Sequence, residues 1–67
     1  MTVLYTLPTC GKCKILKQKM EAKGIEFEEI NDVKILEEEG IDVVPVLDIG
    51  NDWKLNFVEA NKWVNEQ

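Results

Sequence analysis

The apolar residues of this 67-residue chain follow two spacings, which predict alternating strands and helices. Short runs of strand-forming residues and alternate apolar positions indicate strands, whereas apolar residues three and four positions apart indicate helices. The predicted strands span residues 3–7, 25–30, 41–49 and 53–55. The predicted helices run from Thr9 or Cys10 to about Lys23, over 33–39 and over 57–65. The predicted order is therefore β-α-β-α-β-β-α.

Within each predicted helix, the apolar positions indicate the face that packs on the sheet. The residues expected there are Leu16 and Met20, with Ile15 and Ala22, in the first helix; Ile35 and Leu36 in the second; and Phe57 or Val58, Ala60 or Asn61, and Val64 in the third. Gly24 and Gly40 are expected to end the first two helices, since glycine adopts a left-handed conformation easily. Asn31–Asp32 and Asn56 are expected to cap the helices that follow them.

The element order also predicts how the strands pair. A strand, a helix and a second strand in sequence favour a right-handed parallel crossover. The turn Gly50–Asn51–Asp52 should join the last two strands as an antiparallel hairpin, with Val3–Leu7 as the central strand. These rules predict an α/β fold in which a four-stranded mixed sheet has two helices on one face and one on the other.

Length and charge narrow the classes of protein that fit this fold. Residues 1–67 leave room for one domain, and no apolar run approaches the roughly 20 residues that span a bilayer. The first residues enter a strand pattern without a basic stretch, so we expect a cytoplasmic location without membrane attachment. The net charge is −5, but residues 10–23 carry +4 and the rest carries −9. This acidity argues against a nucleic-acid partner.

The candidate chemistry lies in Cys10-Gly11-Lys12-Cys13, between the first strand and the first helix. A thiol at a helix start lies among free amides that favour its ionised form, so the pair is predicted to be a redox dithiol. A structural bridge across two residues would close almost no loop and stabilise little. A zinc or iron-sulfur site is the alternative. With two cysteines and no histidine, it would require a dimer or further ligands.

Two segments carry a resemblance to a known family. The stretch from Tyr5 to Cys13 resembles the strand, loop and active-site dithiol of glutaredoxins, and Val43-Val44-Pro45 is similar to their Thr-Val-Pro segment. The chain therefore looks like a small glutaredoxin-like redoxin, similar also to the redoxins that reduce ribonucleotide reductase. The resemblance implies a minimal thioredoxin fold, disulfide reduction, and a cis bond before a proline that faces the dithiol.

The resemblance also implies roles for individual residues. Cys10 would be the nucleophile and Cys13 the resolving thiol, with Gly11 and Lys12 in support. The residues expected to contact the substrate are Thr9, Val44, Pro45 and Phe57. The implied partners are disulfide-containing proteins, ribonucleotide reductase among them, with electrons from glutathione or a thioredoxin reductase. We expect a monomer with no tightly bound cofactor.

Three departures leave the electron donor open. Leu7 stands where glutaredoxins commonly carry a lysine that holds a glutathione carboxylate. Asn56-Phe57 replaces the Gly-Gly of glutaredoxins or the Gly-Phe of the redoxins that serve ribonucleotide reductase. Thr9 replaces the tryptophan that precedes the dithiol in thioredoxins.

Overall fold

A computed structural model describes residues 2–51 and 53–67. The elements, in chain order, are β1 (Val3–Tyr5), α1 (Gly11–Ala22), β2 (Glu28–Ile30), α2 (Val33–Glu38), β3 (Val46–Asp48), β4 (Lys54–Leu55) and α3 (Phe57–Asn65). The predicted order is confirmed. The predicted hairpin turn includes Asp52, which lies outside the described residues.

The four strands form one sheet in the order β2-β1-β3-β4. β1 pairs with β2 in parallel and with β3 in antiparallel fashion, and β3 pairs with β4 in antiparallel fashion. The sheet is therefore mixed, and β1 is central, as predicted. Leu4 in the middle of β1 is fully buried as a result.

Strands β2 and β3 begin later than predicted because the residues before them complete helix ends. Gly24 and Gly40 adopt positive φ angles of 70° and 71°, and the next residue folds back on the preceding helix in each case. Ile25 donates to the Met20 carbonyl at 3.0 Å, and Ile41 donates to the Leu36 carbonyl at 2.8 Å. These bonds form Schellman caps. The prediction of strands from residues 25 and 41 is therefore wrong, and β2 and β3 begin at residues 28 and 46.

The first strand is also shorter than predicted. It ends at Tyr5 rather than Leu7, although the Thr6 amide still donates to the Ile30 carbonyl at 2.9 Å. The Leu7 carbonyl instead accepts from the Cys10 amide at 3.1 Å, so the chain turns here toward the dithiol. Helix α1 consequently begins at Gly11, with Cys10 as its cap.

The main core lies between the sheet and the pair α1 and α3. Its buried members are Leu4, Leu16, Met20, Leu47, Leu55, Ala60 and Val64. Ile15 is 50% exposed and Ala22 is also exposed, so their prediction as core residues is wrong. Each helical residue turns about 100° around the axis, so the residue before buried Leu16 faces outward. In α3, Phe57 packs on the core, whereas Val58 is 74% exposed.

The opposite face of the sheet carries α2. Side chains alternate along a strand, so Tyr5 points away from the face that Leu4 occupies. The Tyr5 hydroxyl donates to Glu39 Oε1, at the cap of α2, at 3.4 Å. Leu36 is the buried residue of α2, and Ile35 is only half-buried. Membrane crossing would require a longer and more apolar helix than any formed by residues 2–51 and 53–67.

Candidate active site

Cys10 lies at the N-cap of helix α1. Its backbone is extended, with φ −89° and ψ 110°, and its sulfur accepts a hydrogen bond from the Cys13 amide at 3.2 Å. Serine, threonine, asparagine and aspartate usually fill this position with an oxygen. Here the Cys10 sulfur takes the place of that oxygen. The hydrogen bond from the Cys13 amide therefore both caps the helix and contacts the thiol.

The electrostatic surroundings of this sulfur favour negative charge. The first amides of a helix have no partner within it, and they form the positive end of its dipole. The first turn of α1 contains no acidic residue, whereas Lys12 and Lys14 lie within it. An amide donor aimed at the sulfur and nearby cations are features that promote thiolate reactivity. Cys10 is half-buried, which leaves its sulfur within reach of a partner.

Cys13, one turn further along α1, has a different environment. Its side chain is 3% exposed, and both cysteines are free thiols in this structure. Burial raises the pKa of Cys13 to about 12, and the hydrogen bond with Cys10 adds to this rise. A backbone hydrogen bond from Leu7 partly offsets it. The two thiols therefore differ in access: Cys10 is half-buried, whereas Cys13 lies inside, where burial keeps it neutral.

The segment before β3 approaches the reactive sulfur directly. The Val44–Pro45 peptide bond is cis, and Pro45 is among the fully buried residues. The Cys10 thiol donates to the Val44 carbonyl, with 3.9 Å between sulfur and oxygen. The Val44 backbone therefore lies beside the Cys10 sulfur.

A cleft of about 370 Å³ extends from this segment to the start of α3. It is lined by Lys12, Glu39, Gly40, Ile41, Asp42, Val43, Val44, Pro45, Val46, Lys54, Leu55, Asn56, Phe57 and Glu59. Lys12 Nζ lies 5.5 Å from the centroid of the Phe57 ring, within the range of a cation–π contact. Three of the lining residues are acidic and two are basic, so the cleft carries no excess of positive charge.

A second cavity, of about 250 Å³, lies against both cysteines. Lys17 and Glu29 line it and form an ion pair at 3.0 Å, and Thr6 donates to the same carboxylate at 3.1 Å. The hydrogen bond from Lys17 lowers the pKa of Glu29. Sequence reasoning did not identify this group, because its members lie on β1, α1 and β2 and share no local motif.

The structure brings together some, but not all, of the residues predicted to support the dithiol. Lys12, Val44, Pro45 and Phe57 line the same cleft. Thr9 lies on an exposed turn and lines neither of the two cavities. Gly11 is exposed, and a Cβ built there would meet nothing within 4 Å, so packing within the chain does not require glycine.

The metal alternative gains no support. Within residues 2–51 and 53–67, no group of three or more His, Cys, Asp or Glu side chains is placed to hold a metal ion. The two cysteines have no histidine or third cysteine to join them, since the chain contains none.

Comparison with known proteins agrees with this geometry. No curated protein matches the chain. A solved structure of NrdH-redoxin from Escherichia coli, a glutaredoxin-like protein, is similar with a TM-score of 0.72 and 25% identity. The match covers 97% of this chain and 91% of that one. The fold is the minimal thioredoxin fold. Because the glutaredoxin family model matches residues 2–53, the chain belongs to the glutaredoxin family.

Proposed function

We propose that this protein reduces disulfides in other proteins, with Cys10 as the nucleophile and Cys13 as the resolving thiol. One observation carries the proposal. The Cys10 sulfur caps α1, accepts from the Cys13 amide and lies 3.9 Å from the Val44 carbonyl oxygen, while Cys13 is 3% exposed. Cys10 is thus an accessible thiol next to the shielded thiol of Cys13, an arrangement that suits a two-step thiol–disulfide exchange.

In the first step, the Cys10 thiol gives its proton to water, and the resulting thiolate attacks one sulfur of a substrate disulfide. A new bond forms between Cys10 and that sulfur, and the other substrate sulfur leaves as a thiolate that takes up a proton from water. The amide and carbonyl of Val44 pair with the extended substrate backbone, in the manner of an added strand. The cleft from Val44 to Phe57 receives the neighbouring side chains.

In the second step, Cys13 releases the substrate. It gives its proton to water, and its sulfur attacks Cys10, so that a Cys10–Cys13 disulfide forms. The second substrate sulfur leaves as a thiolate and is protonated. The substrate has then gained two electrons and two protons, and the protein has lost them. Because Cys13 is buried and neutral, it reacts only after Cys10 has engaged the substrate.

The proposed electron donor is a flavoprotein reductase of the thioredoxin type rather than glutathione. Glutathione carries two carboxylates, and the cleft wall has three acidic side chains against two lysines, so it offers an anionic guest no net attraction. Leu7 has no positive charge with which to bind either carboxylate of glutathione. The structure of the similar Escherichia coli redoxin is described in terms of a thioredoxin-like activity profile. We take these points as support for a reductase of the thioredoxin type as the electron donor here.

The proposed clients are disulfide-containing proteins, with ribonucleotide reductase as the first to test. The similar redoxin and the family relation support this class of partner. The proposed location is the cytoplasm, where a reducing environment keeps a dithiol of this kind cycling.

The test follows NADPH consumption while the protein reduces a model disulfide. One reaction receives glutathione and glutathione reductase, and the other receives a thioredoxin reductase. We expect turnover with the thioredoxin reductase and little with glutathione. Efficient turnover with glutathione alone would overturn the proposed donor. Absence of turnover with either, and with dithiothreitol, would overturn the proposed reaction.

A further inference from the structure

Five charged side chains line the cleft of about 370 Å³, and two of the three acids among them have hydrogen-bond partners within the chain. Glu39 accepts from the Tyr5 hydroxyl at 3.4 Å. Glu59 accepts from the Asn56 amide at 3.2 Å, in the capping box of α3. These two carboxylates therefore take part in holding the walls of the cleft together.

The third acid, Asp42, differs from the other charged residues of the cleft. Lys12 Nζ lies 5.5 Å from the centroid of the Phe57 ring, and Lys54 also has an interaction within the chain. The Asp42 carboxylate makes no hydrogen bond or ion pair with any residue in 2–51 and 53–67. Its charge is therefore available to a molecule that enters the cleft.

Asp42 lies close to the Cys10 sulfur. It is exposed in the loop between α2 and β3, two residues before Val44. Since consecutive Cα atoms are about 3.8 Å apart, the Cα atoms of Asp42 and Val44 are at most about 7.6 Å apart. The Val44 carbonyl oxygen in turn lies 3.9 Å from the Cys10 sulfur. A client cysteine that meets Cys10 therefore brings its neighbouring side chains within reach of the Asp42 carboxylate.

We propose that Asp42 is a specificity-determining residue, which selects client proteins that carry a lysine or arginine close to the cysteine attacked by Cys10. This proposal rests on the proposed function. A carboxylate at the rim of a binding cleft attracts an opposite charge and disfavours a like charge, so it distinguishes clients by the residues around their disulfide. The chain outside residues 10–23 carries a charge of −9, which favours a client segment of the same positive sign at longer range.

The test uses three short peptides, each with one cysteine joined to 2-thiopyridone in a mixed disulfide. The peptides are identical except that the residues flanking the cysteine are lysine, glutamine or glutamate. Attack by Cys10 on the peptide sulfur releases 2-thiopyridone, which is neutral and is followed by its absorbance. The rate of release is measured against peptide concentration for the fully reduced protein. The same peptides reacted with dithiothreitol give the intrinsic reactivity by which each rate is divided.

The variants are Asp42→Asn and Asp42→Lys, with Glu26→Gln and Glu26→Lys as matched controls. Glu26 is also exposed, and it precedes β2, at the edge of the sheet opposite β4. The cleft is lined by residues of β4 and not by Glu26. The control variants therefore change the net charge of the protein by the same amount as the Asp42 variants without changing the cleft.

We expect wild type to react about fivefold faster with the lysine peptide than with the glutamate peptide at low concentration, as one exposed charge pair should give. The rates at saturating peptide should differ much less, because Asp42 acts on binding. Asp42→Asn should remove most of the preference and Asp42→Lys should reverse it, whereas both Glu26 variants should keep it. Added salt should reduce the preference in wild type.

Two results would overturn the role of Asp42 and leave the proposed reaction intact. One is a wild-type protein that reacts equally with all three peptides. The other is a preference for the lysine peptide that Asp42→Lys leaves unchanged. If wild type releases no 2-thiopyridone from any peptide, the proposed reaction fails, and the selection by Asp42 fails with it.

Discussion

The start of α1 and its first turn are adjacent in sequence, yet they give their two cysteines opposite properties. Cys10 caps the helix, is half-buried and meets an amide donor and a neighbouring carbonyl. Cys13 is 3% exposed, with its pKa raised to about 12 by burial. The difference shows that three residues suffice to separate an accessible thiol from a shielded one, because a helix turns one face outward and the other into the core.

The largest expected effect comes from exchanging each sulfur for oxygen. Cys10→Ser should abolish disulfide reduction, since no other thiol reaches the surface of the site. Cys13→Ser should accumulate a mixed disulfide between Cys10 and the substrate, because the resolving attack is lost. Mass spectrometry of the intact proteins after reaction with insulin should show a mixed disulfide in Cys13→Ser and none in Cys10→Ser. Undiminished dithiol-dependent turnover in either variant would contradict the assigned roles.

A core substitution next to the shielded cysteine should have the next largest effect. Leu16 is fully buried one turn after Cys13, and Leu16→Ala should lower the free energy of unfolding by about 2–5 kcal/mol. Ile15→Ala is the control in the same helix and should cost less than about 1 kcal/mol, since Ile15 is 50% exposed. Urea unfolding of the reduced proteins measures both. Equal losses would mean that α1 is rotated relative to this structure.

The raised pKa of Cys13 predicts that alkali weakens the reduced protein. The unfolded chain loses the Cys13 proton near 9.0, whereas the folded chain keeps it up to about 12. Folding therefore favours the protonated thiol, and its contribution is complete below pH 9.0 and declines as pH rises toward 12. Between these two pH values, Cys13 should lower the free energy of unfolding by up to about 1.4 kcal/mol per pH unit.

The control for this slope is Cys13→Ala, which keeps every other titrating group, including Tyr5. Urea unfolding of both reduced proteins between neutral pH and pH 10.5 gives the comparison. Parallel pH profiles would show that Cys13 titrates alike in the folded and unfolded chains, and the proposed contrast between the two thiols would fail.

The smallest expected effect concerns the ion pair beside the dithiol. Lys17 lowers the pKa of Glu29, so this carboxylate stabilises the fold above its ordinary value of 4.5 and loses that effect as pH falls further. Glu29→Gln should lower the urea midpoint slightly at pH 7, by less than Leu16→Ala does, and the difference from wild type should shrink as the pH falls below 4.5. Exposed pairs of this kind contribute little.

Glu28→Gln is the matched control for this variant, because Glu28 is the preceding exposed carboxylate on β2. The Cys13 Cβ chemical shift, followed against pH by NMR, should be the same in both variants, since burial rather than Glu29 holds Cys13 neutral. If the Cys13 titration shifts in Glu29→Gln but not in Glu28→Gln, the charge of Glu29 contributes to keeping Cys13 neutral.

The features that sequence predicted well are local in the chain. Cys10 and Cys13 are three residues apart at a strand-to-helix junction, so their placement follows from one helical turn. The element order and the central position of β1 also follow from short-range patterns. Asn56 caps α3 as predicted, with Glu59 completing a reciprocal capping box.

The features that sequence did not predict depend on more than the local apolar pattern. Ile25 and Ile41 continue an alternating apolar pattern, yet each completes a helix cap, and the pattern alone does not distinguish these outcomes. The choice between Phe57 and Val58 as the buried residue depends on how α3 is rotated against the sheet. That rotation is fixed by packing across the fold, as is the approach of Glu29 to Thr6 and Lys17.

The Cys10 sulfur, the proposed nucleophile, also accepts the hydrogen bond that caps α1, from the Cys13 amide. Every bond made at Cys10 therefore changes the partner of that amide. The NMR signal of the Cys13 amide should move between the reduced, substrate-bound and oxidised forms, while amides near the end of α1 stay in place. The protein thus contains its own spectroscopic reporter, which allows each stage of turnover to be observed without an added label.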